Sequence, residues 1–111
     1  MLPKRYRLLA KEFQFTYKKG TKFRGKYGML VCAESKNTSP HIGFVVSKKI
    51  GNAVQRHHMT RLLRVVFIEA ISKYSMENIS LNYQYIAFEF CDDLEILKKD
   101  IFSQIEQSLS R

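Results

Sequence analysis

The stretch that decides the fold lies near the middle of the chain, where residues 46–64 read VSKKIGNAVQRHHMTRLLR. Gly51 followed by Asn52 predicts a helix start, because asparagine caps a first turn and glycine leaves the preceding backbone flexible. We expect this helix to begin near Asn52 and to last to about Ser72. At about 100° per residue, its apolar positions fall on one side, which should face a sheet (Met59, Leu62, Leu63, Val66 and Ala70).

The opposite side of this helix and the loop before it are basic. The cationic positions are two lysines on the loop and three arginines and a histidine on the helix (Lys48, Lys49, Arg56, His57, Arg61 and Arg64). The first carboxylate that follows them is Glu69. Cations around a helix N-terminus, whose backbone N–H groups lack partners, form a site for phosphate oxygens. The alternative is an ordinary solvated face, since any surface helix carries charge opposite its apolar stripe.

Upstream of this segment, the pattern predicts a helix and two strands. Residues 7–19 carry apolar side chains at i, i+4 and i+8, and Gly20 follows as a stop (Leu9, Phe13 and Tyr17). Residues 29–33 form a short apolar run, and residues 42–47 alternate between apolar and other side chains. Because the turn-rich residues 36–40 join these two runs, we expect them to form a hairpin.

Downstream, the pattern predicts one more strand and a last helix. Residues 83–90 form the strand, with Ile86, Phe88 and Phe90 on one side. Asp92 and Asp93 stand where a helix cap is needed, and an apolar stripe follows them (Leu94, Leu97, Ile101 and Ile105). The residues therefore predict an α+β fold in which helices cover one side of a sheet.

The composition predicts one folded, basic domain that spans residues 1–111. Hydrophobic residues make up 45% of the chain and charged residues 26%, which fits a folded protein. The formal net charge of +9 attracts polyanions such as nucleic acid. The rival partner is an anionic membrane, but the sequence offers no basic amphipathic helix of the interfacial kind. No apolar segment follows the basic N-terminus, so we expect a cytoplasmic protein with no membrane partner.

The central motif resembles that of a known family. SKKIGNAV at residues 47–54, followed by Arg56, Arg61 and Arg64, is similar to the signature of the bacterial ribonuclease P protein component. The opening residues 7–20 are similar to the N-terminal helix of that family, so the resemblance covers nearly the whole chain. It implies a small mixed sheet covered by helices in the order α-β-β-(β)-α-β-α, with a left-handed βαβ crossover.

The resemblance also implies a function and a division of labour. The family's holoenzyme is an endoribonuclease that removes the 5′ leader of precursor tRNA, and its RNA subunit is the catalyst and uses Mg²⁺. The chain itself would hold no catalytic residue, metal or other cofactor, and its partners would be ribonuclease P RNA and precursor tRNA. The RNA-binding residues would be those of the basic loop and helix (Lys48, Lys49, Asn52, Arg56, His57, Arg61 and Arg64).

The leader of the precursor would lie in a cleft between the first helix and the sheet. Phe13 and Tyr17 lie one helical turn apart, and we expect them to line this cleft, since single strands stack on aromatic side chains. The alternative is that both rings pack in the core. A second basic cluster beside this helix is either a phosphate contact or a solvated loop (Lys22, Arg24 and Lys26).

Three departures from the family pattern concern the proposed RNA contacts. The family usually has Arg-Asn-Arg at residues 56–58, a second basic residue where Thr60 stands and an aromatic residue where Val31 stands. Arg56 is kept, but His57 and His58 add charge only when protonated. We therefore expect RNA docking with fewer fixed charges.

Two other functions compete with this interpretation. One is a generic binder of structural RNA, which would have a similar basic helix. The other is a nuclease that acts alone with a metal, for which Glu89, Asp92 and Asp93 are the only closely spaced carboxylates. Their position before a helix is better explained by capping. His57 and His58 point about 100° apart on a helix and do not easily act together on one phosphate.

Overall fold

The computed structural model describes residues 2–110. It contains three helices and four strands: α1 (Ala10–Lys19), β1 (Thr21–Arg24), β2 (Gly28–Glu34), β3 (His41–Val45), α2 (Ala53–Lys73), β4 (Leu81–Ala87) and α3 (Leu94–Leu109). Two short 3-10 turns, Lys4–Tyr6 and Lys48–Ile50, precede α1 and α2. The predicted α+β class and element order are confirmed, and the additional strand that the resemblance implied is β1.

The four strands form one mixed sheet in the order β1-β2-β4-β3. β2 is antiparallel to both of its neighbours, whereas β3 runs parallel to β4. The predicted hairpin between residues 29–33 and 42–47 is therefore wrong, because β4 lies between the two strands. The turn-rich residues 36–40 instead carry the chain past the position that β4 later fills. Turn residues mark a change of direction, and they do not determine which strand becomes the neighbour.

Helices lie on both faces of the sheet, so the expectation that they cover one side is wrong. On one face, Phe67 of α2 packs on Phe44 and Tyr85, with ring centroids 5.5 and 6.2 Å apart. Of the predicted α3 stripe, Leu97, Ile101 and Ile105 are fully buried in the same core, and Leu94 packs against it half-buried. Side chains alternate along a strand. Gly43, next to Phe44, therefore faces the other side, where a Cβ would collide with the ring of Phe13 in α1.

Helix α1 begins at Ala10 rather than near Arg7. Before it the chain is extended, and Arg7 forms a parallel bridge with Ile42 of β3. Glu12 then closes the first turn, since its carboxylate accepts a hydrogen bond of 2.8 Å from the backbone N–H of Leu9. At the other end Gly20 allows a close approach, because a Cβ there would lie 2.5 Å from Val31 Cγ1. The short helix thus lies directly on the middle of the sheet.

The position of β4 also differs from the prediction. β4 spans Leu81–Ala87, so Phe88 and Phe90 lie beyond its end rather than on its apolar side. Downstream, Asp93 caps α3 as predicted, since its carboxylate accepts a hydrogen bond of 3.1 Å from Ile96 N. Within residues 2–110, none of the helices has the length and apolar composition that crossing a bilayer requires.

The connection from β3 through α2 to β4 positions the basic segment. Because β3 and β4 are parallel, their carboxyl ends lie side by side at the same end of the sheet. The loop that leads from β3 to α2 begins at that end of the sheet, and Phe88, the residue after β4, lies there too. The handedness of this crossover stays a prediction from the resemblance.

Candidate nucleic-acid interface

The loop before α2 is held in one conformation by its own hydrogen bonds. Asn52 Oδ1 accepts from Gln55 N at 2.9 Å, and Gln55 Oε1 accepts from Asn52 N at 2.9 Å, which confirms the predicted cap. Gly51 has a φ of 154°, and a Cβ at this position would meet the Gln55 side chain. Arg56 Nε donates to Gly51 O at 3.3 Å. The loop with Lys48 and Lys49 is thereby fixed to the first turns of the helix.

The buried face of α2 determines which way its arginines point. Met59, Leu63 and Val66 are fully buried against the sheet, together with Ala70, as the sequence predicted. Leu62 lies at the flank and is half-buried. Side chains that lie opposite on the helix must face solvent: His57 and Arg61 are exposed, and Arg56 and Arg64 are half-buried at the edges of the exposed arc.

Six basic side chains are brought together in this way, and we call them the α2 basic surface (Lys48, Lys49, Arg56, His57, Arg61 and Arg64). Within residues 2–110, the ion pairs of fixed charges join Lys98 to Glu69 and Glu95, and the contact of Glu12 with His41 is an ion pair only when the imidazole is protonated. Glu69, the first acid of the helix, is thus bound to Lys98 at 2.8 Å. No carboxylate of the described chain forms an ion pair with the α2 arginines, although Glu69 lines the same groove as Arg61 and Arg64. Their charge remains available to an external polyanion.

Two of the departures from the family pattern lie on this surface. His58 is exposed beside His57, so both imidazoles can add charge to the surface when protonated. Thr60 Oγ1 donates to Arg56 O at 2.8 Å, which directs its hydroxyl to the helix backbone rather than to solvent. The third departure, Val31, is fully buried beneath the C-terminal end of α1 and offers no exposed ring.

A second surface lies on the sheet face that α1 only partly covers, and we call it the α1 cleft (Tyr17, Lys22, Arg24 and Phe88). Lys22 and Arg24 lie in register with Val31 and Met29. Because Val31 faces α1, the alternation of side chains places Lys22 and Arg24 on the same face. Lys22 Nζ lies 4.6 Å from the ring centroid of Tyr17, and Arg24 Cζ lies 5.4 Å from that of Phe88.

The two aromatic residues predicted for the cleft occupy different environments. Tyr17 is 45% exposed, with Lys22 Nζ also donating to its carbonyl oxygen at 3.4 Å. Phe13 is half-buried with its ring against Gly43, so it packs α1 on the sheet. The sequence did not predict the pairing of Arg24 with Phe88. A four-residue strand with a single apolar side chain, Phe23, gives too little periodicity to be recognised.

A polar cluster beneath α1 sets the position of that helix. Glu12 Oε1 lies 3.0 Å from His41 Nδ1, and Asn37 Nδ2 donates to Glu12 Oε2 at 3.2 Å. Asn82 Nδ2 donates to Thr16 Oγ1 at 3.2 Å. Burial raises the pKa of Glu12, but the hydrogen bonds from His41, the Leu9 backbone and Asn37 outweigh it, so the net pKa is below the usual value.

Acidic and metal-ligating side chains are scattered over the described chain. Residues 2–110 contain no cluster of three or more His, Cys, Asp or Glu side chains that could hold a metal ion. Of the carboxylates before α3, Asp93 is engaged in capping. Cations and exposed rings, rather than carboxylates, dominate both surfaces.

Exposed rings beside cations suit a nucleic-acid strand better than other polyanions, since rings stack bases and cations meet phosphates. The fold and these two surfaces are typical of a small nucleic-acid-binding protein.

Comparison with known proteins identifies the family. The family model for ribonuclease P matches residues 2–108. The ribonuclease P protein component of Fusobacterium nucleatum is 33% identical over 103 residues, which cover 90% of this chain and 86% of that protein. That of a Nitratiruptor species is 42% identical over 59 residues, or 53% of this chain and about half (52%) of that relative. The chain belongs to the ribonuclease P protein family, as the central motif implied.

The solved structures agree with the fold. A mutant of the ribonuclease P protein from Staphylococcus aureus superposes with a TM-score of 0.77 and covers 95% of this chain and 89% of that chain. The two sequences are 23% identical, so this likeness concerns the architecture.

The lowered pKa of Glu12 predicts an acid-dependent loss of stability. In the unfolded chain this carboxyl titrates near its usual value of 4.5. Its contribution is complete above that pH and is lost as the pH falls through the lower folded-state value. Urea unfolding from about pH 7 to about pH 3 should therefore show a smaller acid-induced decrease in unfolding free energy for Glu12→Gln than for the wild type.

Glu77→Gln is the matched control, since within residues 2–110 the exposed Glu77 carboxylate makes no hydrogen bond or ion pair. This control should follow the wild type across the pH range. If Glu12→Gln lost stability in acid as steeply as the wild type, the polar cluster would not stabilise α1 through the charge of Glu12.

Proposed function

We propose that this chain is the protein subunit of ribonuclease P and promotes removal of the 5′ leader from precursor tRNA, with catalysis in the RNA subunit. The observation that carries the proposal is the α2 basic surface, whose arginines are turned away from the sheet by the packing of α2 and form no ion pair with a carboxylate of the described chain. We place this activity in the cytoplasm. The partners are ribonuclease P RNA and precursor tRNA, and no membrane takes part.

The α2 basic surface would dock the chain on the RNA subunit. Guanidinium groups bind phosphate oxygens in a bidentate manner, and the N-terminus of α2 adds unpaired backbone N–H groups. Asn52 uses its side-chain oxygen as the helix cap, so its part in RNA binding would fall to the amide nitrogen. Arg56 holds Gly51 through Nε, which leaves its terminal nitrogens for RNA.

The α1 cleft would hold the leader. Tyr17 offers a half-exposed ring for base stacking, and Lys22 beside it offers a charge for the adjoining phosphate. Arg24 and Phe88 repeat this arrangement further along the cleft. Phe88 follows β4 at the end of the sheet where the loop before α2 also begins. The α1 cleft would therefore continue into the α2 basic surface.

The chain would assist catalysis by electrostatics rather than by chemistry. Two RNA molecules repel one another, and a basic protein that contacts both lowers this repulsion. The Mg²⁺ that the holoenzyme uses would supply the hydrolytic chemistry in the RNA subunit. No catalytic role falls to the side chains of this protein in the proposal.

Reconstitution tests this function directly. Mixed with a cognate ribonuclease P RNA at low Mg²⁺, the protein should restore cleavage of a precursor tRNA at its mature 5′ end, because its cations replace part of the screening by Mg²⁺. Gel analysis of the cleaved ends measures this. RNA retardation without cleavage would indicate a generic RNA binder, and cleavage with no RNA subunit present would indicate a nuclease; either result would refute the proposal.

Tyr17→Ala tests the leader contact. The holoenzyme with this variant should bind precursor tRNA less tightly, by the ~1–3 kcal/mol that stacking on one base contributes, and bind mature tRNA as before. The reason is that only the precursor carries a leader. Tyr17→Phe is the control, since it keeps the ring and should retain the wild-type preference. Equal losses for precursor and mature tRNA would remove Tyr17 from the leader site.

A further inference from the structure

The flank of α1 that faces away from the α1 cleft carries an exposed aromatic residue. Phe15 and Tyr17 are two positions apart, which places them about 160° apart around a helix. Phe15 is 47% exposed, nearly the same fraction as Tyr17. Thr16 and Phe13 contact the sheet, whereas about half of Phe15 stays open to solvent.

Phe15 forms the wall between two grooves. The first, of about 580 Å³, is lined on its far side by Ser35, Lys36 and Asn37. The second, of about 740 Å³, runs past the C-terminal end of α1 toward Phe23 and Leu109. Grooves of a few hundred Å³ with an apolar wall and a few polar groups are of the size that small ligands and single nucleotides fill.

The charges around Phe15 favour an anionic occupant. Lys11 and Lys19 lie one turn before and one turn after it, on the same stripe of α1, and both are exposed. Lys36 is a third cation, and whereas Lys19 lines the second groove, Lys36 and Lys11 line the first. Of the two carboxylates there, Glu12 is engaged by His41 and Asn37, which leaves Glu34 against the three lysines. We call Lys11, Phe15, Lys19 and Lys36 the outer flank.

We propose that the outer flank binds single-stranded RNA, with a base stacked on Phe15 and the adjoining phosphates at Lys11 and Lys19. This rests on the proposed function, and the occupant is the part of the 5′ leader that extends beyond the α1 cleft. A ring between two lysines on one helical stripe combines a stacking platform with phosphate contacts, as single-strand binders do. An apolar partner protein would instead meet three unpaired charges at the rim.

The geometry of α1 makes the path short. A helix of ten residues is about 15 Å long, so a strand in the cleft is never far from an end of the helix. Lys19 stands at the C-terminal end, with Tyr17 and Lys22 on its cleft side and the larger groove on its other side. A leader that passes this end leaves one aromatic platform and reaches the next.

Leader length separates the two sites experimentally. The holoenzyme would be reconstituted with ribonuclease P RNA and given precursor tRNAs with leaders of about 8 and about 16 nucleotides, within the range of site sizes for single-strand grooves. Phe15→Leu keeps an apolar cover over the grooves but removes the ring. It should weaken binding of the long-leader precursor about five-fold or more and leave the short-leader precursor unchanged. Phe15→Tyr should restore the wild-type affinity.

A charge variant provides a second, independent measurement. Lys11→Gln with Lys19→Gln should lower the salt dependence of binding for the long leader only, by roughly 0.7 in log–log slope for each single-strand phosphate that is no longer neutralised. Lys73→Gln with Lys99→Gln removes the same charge elsewhere on the surface and should leave the difference between the two leaders intact. A 2-aminopurine base in the distal leader should be quenched by the wild type and by Phe15→Tyr, and less by Phe15→Leu.

The outcomes distinguish the two proposals. If Phe15→Leu changed the affinity for long-leader and short-leader precursors equally, or changed neither, the outer flank would not be an RNA site. This would hold even if Tyr17→Ala still weakened binding of precursor tRNA but not of mature tRNA. If Tyr17→Ala had no selective effect and reconstitution failed, the proposed function itself would be wrong.

Discussion

The parallel pairing of β3 with β4 is the constraint on which both basic surfaces depend. Two parallel strands cannot be joined by a tight turn, so the chain must cross the sheet between them, and α2 is that crossing. The helix then starts at the edge where both strands end. Its buried stripe fixes its rotation, since Met59 and Leu63 must face the sheet. The position of the arginines follows from strand order and apolar packing, and no contact with RNA is needed to create it.

The second consequence of this sheet is an incompletely covered face. Two long helices cover one side, whereas the ten-residue α1 covers only the middle of the other. Phe13 against Gly43 and the cluster around Glu12 hold α1 in place. Sheet surface and rings remain accessible on both flanks of the helix. A short helix on a wide sheet therefore produces grooves without any dedicated loop.

The parts of the fold that the sequence predicted are those with local causes. The α2 cap at Asn52, its buried stripe and the α3 cap at Asp93 each depend on residues within a few positions. The errors concern partners that lie far apart in sequence. The predicted hairpin is wrong because β4, about forty residues after β3, pairs with β2 in the place that β3 was expected to take. The presence of helices on both faces of the sheet likewise depends on contacts between distant segments.

The same distinction holds for the candidate site. The cations of the α2 basic surface lie on one helix and its leading loop, so helical periodicity is enough to predict that they face the same way. The α1 cleft combines α1, β1 and the residue after β4, which no periodicity connects. The sequence pattern does not single out Phe15, because this residue lies off the apolar stripe of α1. Its importance depends on the two grooves beside it, which only the structure shows.

The salt dependence of binding to ribonuclease P RNA tests the central claim most directly. Replacing Arg56, Arg61 and Arg64 together by Ala should weaken binding and lower the log–log slope by roughly 0.7–0.9 for each phosphate that the variant no longer neutralises. A control that removes three exposed lysines elsewhere should keep a steeper slope than the arginine variant (Lys4, Lys73 and Lys99). If the arginine variant retained the wild-type slope, α2 would not be the face that grips the RNA.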